Sequence, residues 1–288
     1  MAKKQSRVRK IPDMQEDGKP AVSGITLDKV GVRNVHTMAR FARMGGAPIS
    51  LPVKLSAYVS LSDPDKKGIN MSRLPRVVLQ HMANNITTDL IHNILIDFKK
   101  NLGSSESYLK LRFWYPIERM SLKSKEEAPK MYECVLEGKA QRDQLSLFLT
   151  VNVDYSSSCP CSQALVESLQ KTNKGVPKGI AHSQRSKATV TVQFSHSNVI
   201  YIEELVDVIE SALKTPTQVI VRRPDEKEFG VLSYANQKFV EDAVRLVSSE
   251  LDKFKRVQDY VVVCNHFESL HSFDAVAIRS KGIPGGLR

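Results

Sequence analysis

Cys159 and Cys161 lie in Ser156-Ser157-Ser158-Cys159-Pro160-Cys161-Ser162, a run of small residues in which backbone or side chain can come close to a ligand. The pair cannot form a zinc ribbon, because Cys134 and Cys264 stand alone with no second Cys pair at the required spacing. Three uses stay open: a catalytic thiolate, one ligand of a mixed Cys/His/carboxylate metal site, or small residues buried at a turn. His182 occupies a polar loop, Gly179-Ile180-Ala181-His182-Ser183-Gln184-Arg185-Ser186, ahead of an expected strand. A loop histidine is either a ligand or merely solvated, and Arg185 beside it is either an anion grip or plain surface.

Further along, Arg222-Arg223-Pro224-Asp225-Glu226-Lys227-Glu228 reads as a charged turn between helices. Glu241 falls at the start of the next expected helix, one step round from its apolar stripe. There it is a first-turn acid favoured by the helix dipole, or a carboxylate placed to accept the ring N–H and exocyclic NH₂ of a guanine together. Glu268 and His271, at i and i+3 after an apolar strand, have the types and spacing of acid/base partners near pH 7, or of strand-end groups meeting local hydrogen bonds. No Gly-x-Gly-x-x-Gly, P-loop, His-Glu-x-x-His or nucleophile-elbow motif is present.

The elements that must position these residues follow from apolar spacing. Leu51 to Leu61 reads as an extended segment. Val78, Met82, Ile86, Leu90, Ile91, Ile94, Leu95 and Phe98 predict one long amphipathic helix ending at Gly103. Three period-2 segments follow, over 109–115, 131–138 and 145–154, as in a sheet wet on one side. The second half repeats the theme, with a strand over 188–194, helices near 202–214 and 236–254, and closing strands around 257–267 and 273–280. The resulting expectation is α+β, with two modules in tandem, each an antiparallel sheet with helices packed on one face. Residues 1–30 form a basic, partly mobile arm, 31–155 the first module, and 156–288 the second, which carries most of the site.

Composition narrows the function classes. The chain has 288 residues, 41% of them hydrophobic and 25% charged, enough to bury a core and unlike a disordered chain. No apolar run approaches a bilayer span, no secretory h-region follows the first charges, and four cysteines make no disulfide scaffold, so a reduced cytoplasmic protein is expected. Net charge is +11. Lys3, Lys4, Arg7, Arg9 and Lys10 concentrate part of it in the arm and the rest is thinly spread, which suits a protein gathering a polyanionic small molecule better than a nucleic-acid binder.

Taken in order, the segments resemble the prokaryotic type IB GTP cyclohydrolases. The matching stretches are Ile11-Pro12-Asp13-Met14-Gln15, Asp28-Lys29-Val30-Gly31-Val32, Met71-Ser72-Arg73, Cys159-Pro160-Cys161-Ser162, Ala181 to Ser186, Arg223 to Lys227, Phe239-Val240-Glu241-Asp242 and Glu268-Ser269-Leu270-His271. The resemblance implies tandem tunnelling-fold modules assembled as a homotetramer with interfacial active sites. It implies one divalent metal per site, zinc or manganese, held by Cys159, His182 and Glu226. It also implies conversion of GTP and water to 7,8-dihydroneopterin triphosphate and formate, the first step of folate biosynthesis. By the same resemblance Glu241 anchors guanine, Glu268 and His271 move protons, Cys159 belongs to the catalytic set, and Gln184 and Arg185 support the triphosphate or the metal. Relatives often carry a second histidine where this chain has Phe273. The rival within the same fold is the nitrile reductase of queuosine synthesis, in which a cysteine attacks substrate. Rivals from other classes are a basic nucleic-acid-binding module and a metal-stabilised scaffold.

Overall fold

The computed structural model describes residues 14–15, 18–142, 144–172, 179–284 and 286–287, with nothing said of the Gln170 side chain. The basic cluster Lys3 to Lys10 and the motif residues Ile11-Pro12-Asp13 lie outside the described residues.

A hairpin of β1 (Leu27–Arg43) and β2 (Gly46–Leu61) comes first, turning through Gly45 at φ +70°. The single helix expected from Val78 to Phe98 is two: α1 (Arg73–His81) and α2 (Thr88–Leu102). Between them the two-residue β3 (Asn85–Ile86) pairs in parallel with β1, and the Thr87 side chain accepts the Leu90 N–H at 3.1 Å, so a new helix starts there. Gly103, at φ +62°, ends α2 as expected.

The period-2 segments become three strands of 15 residues, β4 (Glu106–Met120), β5 (Glu127–Gln141) and β6 (Gln144–Ser158). Then come α3 (Pro160–Thr172), β7 (Ser183–Phe194), α4 (Ile202–Leu213), α5 (Arg223–Ala235), α6 (Val240–Lys253), β8 (Val257–His266) and β9 (Ala275–Ser280).

The architecture corrects the expected one. The class is α+β, but the strands do not form tandem antiparallel tunnelling-fold modules. They make one nine-stranded mixed sheet in the order β3-β1-β2-β4-β5-β6-β7-β8-β9, antiparallel except at β3–β1. The reason is visible in the register. An apolar row Leu55–Leu111–Leu136–Leu149–Val192–Tyr260 crosses from β2 to β8, one residue per strand, without a gap where two sheets would part.

The helices cover the face that carries this row. A Cβ on Gly138 would lie 2.5 Å from Ile91 Cγ2, so only glycine lets α2 settle on β5. Tyr115 donates to Glu203 of α4 at 2.6 Å, and Tyr260 to Asp252 of α6 at 2.9 Å. Each large side chain sealed here, such as Leu55 or Leu111, contributes about 1.5–3 kcal/mol. Among the described residues no helix lies on the opposite face, which bears Lys54, Arg112, Thr150 and Thr191. No helix of the described residues is long and apolar enough to cross a membrane.

Candidate functional site

Three strand ends build a polar cluster at one margin of the helix-covered face. β6 and β7 pair Ser157 with Gln184 and Ser158 with Ser183, while β7 and β8 pair Ser186 with His266. Just beyond the strands, the Cys159 N–H donates to the His182 carbonyl at 3.1 Å, and the Phe267 N–H donates to the Arg185 carbonyl at 3.2 Å. Cys159, His182 and Glu268 are thereby carried to the same margin by backbone pairing.

The side chains there form an ordered chain of hydrogen bonds. Gln184 Nε2 donates to Ser157 Oγ at 3.0 Å and to Glu268 Oε1 at 3.2 Å, and Ser157 Oγ and Ser186 Oγ share a bond at 2.8 Å. With its amide nitrogen so used, Gln184 presents Oε1 to His182 Nδ1 at 3.2 Å. An amide oxygen only accepts, so Nδ1 is the donor in this contact, and in the neutral ring the lone pair then sits on Nε2. Glu268 Oε2 is buried, has no hydrogen-bond partner among the described residues, and lies 3.8 Å from His182 Nδ1. Buried acceptors are nearly always satisfied, so this oxygen is free to accept from a bound water or substrate.

A buried layer supports the cluster. His266 Nε2 and the Tyr155 hydroxyl share a bond at 2.9 Å. Burial, with Lys238 adding to it, pushes His266 down to about 4, so at neutral pH its imidazole is uncharged and the hydroxyl can donate to it. Lys238, only 4% exposed, donates to Thr215 Oγ1 at 3.1 Å and to the Asn236 carbonyl at 2.6 Å, and burial lowers it to about 8. Spacing signals neither Tyr155 nor Lys238, which only the tertiary structure brings to His266.

The other expected residues lie apart from this cluster. Arg185 and His271 are exposed, and His271 stacks on Phe273 with ring centroids 4.9 Å apart. Glu241 is exposed in the first turn of α6. Glu226 is exposed in the first turn of α5, which is helix and not the charged turn expected there. Among the described residues no three His, Cys, Asp or Glu side chains are gathered to hold a metal ion. The set Cys159, His182 and Glu226 is thus not assembled within this chain; His182 is brought to Glu268 instead.

Asp225, the neighbour of Glu226, is fully buried. Its Oδ1 accepts the N–H groups of Lys123 and Ser124 at 2.7 and 2.9 Å, and its Oδ2 accepts the Ser124 hydroxyl at 2.6 Å and the Arg222 N–H at 2.8 Å. The Ser124 hydroxyl above all, then the backbone donors, hold this carboxyl well below its ordinary 3.8. Asp225→Asn is therefore expected to lower Tm at neutral pH by loosening α5 from the β4–β5 turn. A depressed carboxyl contributes its full stability above 3.8 and loses it as the pH falls toward the folded-state value, so the Tm gap should close in acid. Thermal melts from about pH 7 down to about pH 2 check this, and a gap unchanged in strong acid would contradict it.

Residues 11–277 match the model of the family described as type I GTP cyclohydrolase folE2. GTP cyclohydrolase FolE2 of Hydrogenovibrio crunogenus is 38% identical over 263 residues, covering 83% of this chain and 84% of its own length. GTP cyclohydrolase FolE2 of Paracoccus denitrificans is 34% identical over 274 residues, covering 94% of this chain and 84% of its own. Among solved structures, uricase from Arthrobacter globiformis superposes with a TM-score of 0.52 at 6% identity, covering 93% of this chain and 97% of that one. A hyper-thermostable mutant of that uricase gives 0.54 over 92% and 95%. At such identity the likeness is one of fold alone.

Proposed function

The chain belongs to the type I GTP cyclohydrolase FolE2 family, and from that membership we propose that it converts GTP and water to 7,8-dihydroneopterin triphosphate and formate, the entry into folate biosynthesis. The motifs point to a type IB enzyme; the family that holds the chain is FolE2. The observation that carries the site is the chain of hydrogen bonds His182–Gln184–Glu268, set beside Cys159 by backbone pairing.

The reaction adds water at purine C8, moves protons onto ring nitrogens as imidazole C–N bonds break, releases formate, and closes a pterin from the ribose carbons. Glu268 Oε2, unpartnered and close to His182, is the atom placed to take a proton from attacking water and return it to a departing nitrogen. Gln184 holds the other carboxylate oxygen, so Oε2 keeps a fixed aim. His271, on the exposed loop that follows Glu268, serves as second proton carrier. Glu241 anchors the guanine edge, and Gln184 and Arg185 support the triphosphate or the metal.

The metal remains a reading of donor chemistry. A thiol, a free imidazole Nε2 and a carboxylate are the ligand set that suits zinc and accepts manganese. Cys159, His182 and Glu226 would hold the ion, and once bound it would supply Lewis-acid polarisation and a more acidic water. Glu226 stands outside the cluster in this chain, as do Glu241 and His271. Their exposure suits a homotetramer whose active sites lie between copies. Four unpaired cysteines suit a reducing, cytoplasmic setting.

A product assay tests the activity directly. The protein, stripped by chelation and resupplied with zinc or manganese, is given GTP, and formate and oxidised-neopterin fluorescence are followed. Both products are expected, and a folded, metal-loaded sample that makes neither would overturn the reading. Glu241→Ala is expected to raise KM for GTP by about 10–100-fold, the worth of a charge-assisted bidentate contact, with Tm unchanged. A normal KM would remove the anchoring role.

A further inference from the structure

The helix-free face of the sheet concentrates positive charge on β1, β2 and β4. Lys54 of β2 lies directly opposite Arg112 of β4, with His36 of β1 on its other side, and Ser56 lies opposite Lys110 in the neighbouring row. Like charges placed directly across an antiparallel pair destabilise it. A bulge adds to the cluster. Val32 pairs with Ala57 and Val35 with Leu55, so Arg33 and Asn34 together oppose Ser56, and both are delivered to this face. Asn34 takes φ +62°, a left-handed conformation uncommon outside glycine.

Arg33, Lys54, Lys110 and Arg112 line one cavity of about 290 Å³. Their charge is only partly answered. Glu137 pairs with Lys110 at 2.7 Å, while Glu133 reaches Arg112 at 3.9 Å and is also held by Asn152. Arg33 and Lys54 have no acidic partner among the described residues. Tyr58 lines both this cavity and an adjoining one of about 280 Å³ that also contains Tyr108 and Phe148. Gly31, opposite Tyr58, has no side chain to cover the ring.

We propose that the Arg33–Lys54–Lys110–Arg112 cavity is a seat for the polyphosphate chain of a nucleotide, with the adjoining aromatic cavity taking the attached nucleoside. The geometry separates this seat from the Cys159–His182 cluster of the same chain. It lies on the opposite face of the sheet, and from Thr150, in the Arg112 row, to Cys159 the strand runs about 30 Å. Guanidinium groups fork onto phosphate oxygens, and a bulge that costs backbone strain is retained where it aims a side chain. Two sources share this chemistry: the triphosphate of GTP bound at a neighbouring copy's site, or a second nucleotide.

Calorimetric titration of the full chain with inorganic tripolyphosphate tests the seat without any turnover, so a failed cyclohydrolase reading would not disturb it. Wild type should bind with affinity that falls as salt rises, and Lys54→Ala/Arg112→Ala should lose about tenfold or more with Tm unchanged or raised, since two facing like charges are removed. Glu268→Gln should bind as wild type does. GTP kinetics then separate the sources. A raised KM with kcat unchanged in the double variant assigns the seat to the substrate's own triphosphate. An unchanged KM, with tripolyphosphate binding still lost, assigns it to a second nucleotide. Equal tripolyphosphate binding by wild type and double variant, no binding near physiological ionic strength, or tighter binding of a single-stranded oligonucleotide would each overturn the proposal.

Discussion

Exchanging Glu268 for Gln is expected to lower kcat for GTP by about 10²–10⁴-fold, the usual worth of a positioned general acid or base. The substitution is nearly isosteric, and a glutamine oxygen can still accept the Gln184 N–H that Glu268 Oε1 now accepts at 3.2 Å. The local frame therefore survives while the proton-carrying oxygen is lost. KM should change little, because the group acts on reacting atoms and not on the guanine edge. A kcat within about threefold of wild type, at unchanged Tm, would take Glu268 out of the catalytic set.

The second large effect concerns the metal. Cys159→Ala and His182→Ala are expected to leave the purified protein without zinc or manganese by elemental analysis and to reduce turnover to background. Gln184→Leu should weaken metal affinity by about 10–100-fold, because Gln184 Oε1 is the acceptor that holds the His182 proton on Nδ1 and frees Nε2. Competition against a coloured chelator reads this without reference to activity. Full turnover by wild type in excess chelator would eliminate the ion and leave His182 and Glu268 as a metal-free proton-transfer pair.

Much of the local structure was legible because it is set by neighbours in the chain. Leu109, Leu111, Phe113 and Tyr115 alternate with polar residues, and β4 holds them on one face as that alternation demands. The apolar stripe from Val78 to Phe98 also marked helix correctly, but not its interruption. A periodic pattern continues through Ile86, whereas the break depends on Thr87 capping α2 and on β1 being present to pair with Asn85 and Ile86. α3 was not foreseen, since the segment from Pro160 to Thr172 has only a weak apolar stripe and keeps Leu165 and Leu169 exposed.

By itself the sequence determined most strands, though not β1 or β3, the helices α4 and α6, the GTP cyclohydrolase activity, and the roll of residues able to do the chemistry, because side-chain type and spacing are local properties. Only the tertiary structure decided which of those residues meet. Strand register alone puts Ser157 against Gln184 and so carries Gln184 to Glu268, residues far apart in the chain. Asp225 and Glu226 are adjacent acids at one helix start, equivalent by any reading of the chain. The docking of α5 on Lys123 and Ser124 buries the first, and the turn of about 100° per residue exposes the second. The same holds for the sheet. Alternation shows that each strand has an apolar face, but whether successive faces join into one surface or two depends on the pairing of β6 with β7, and those strands joined.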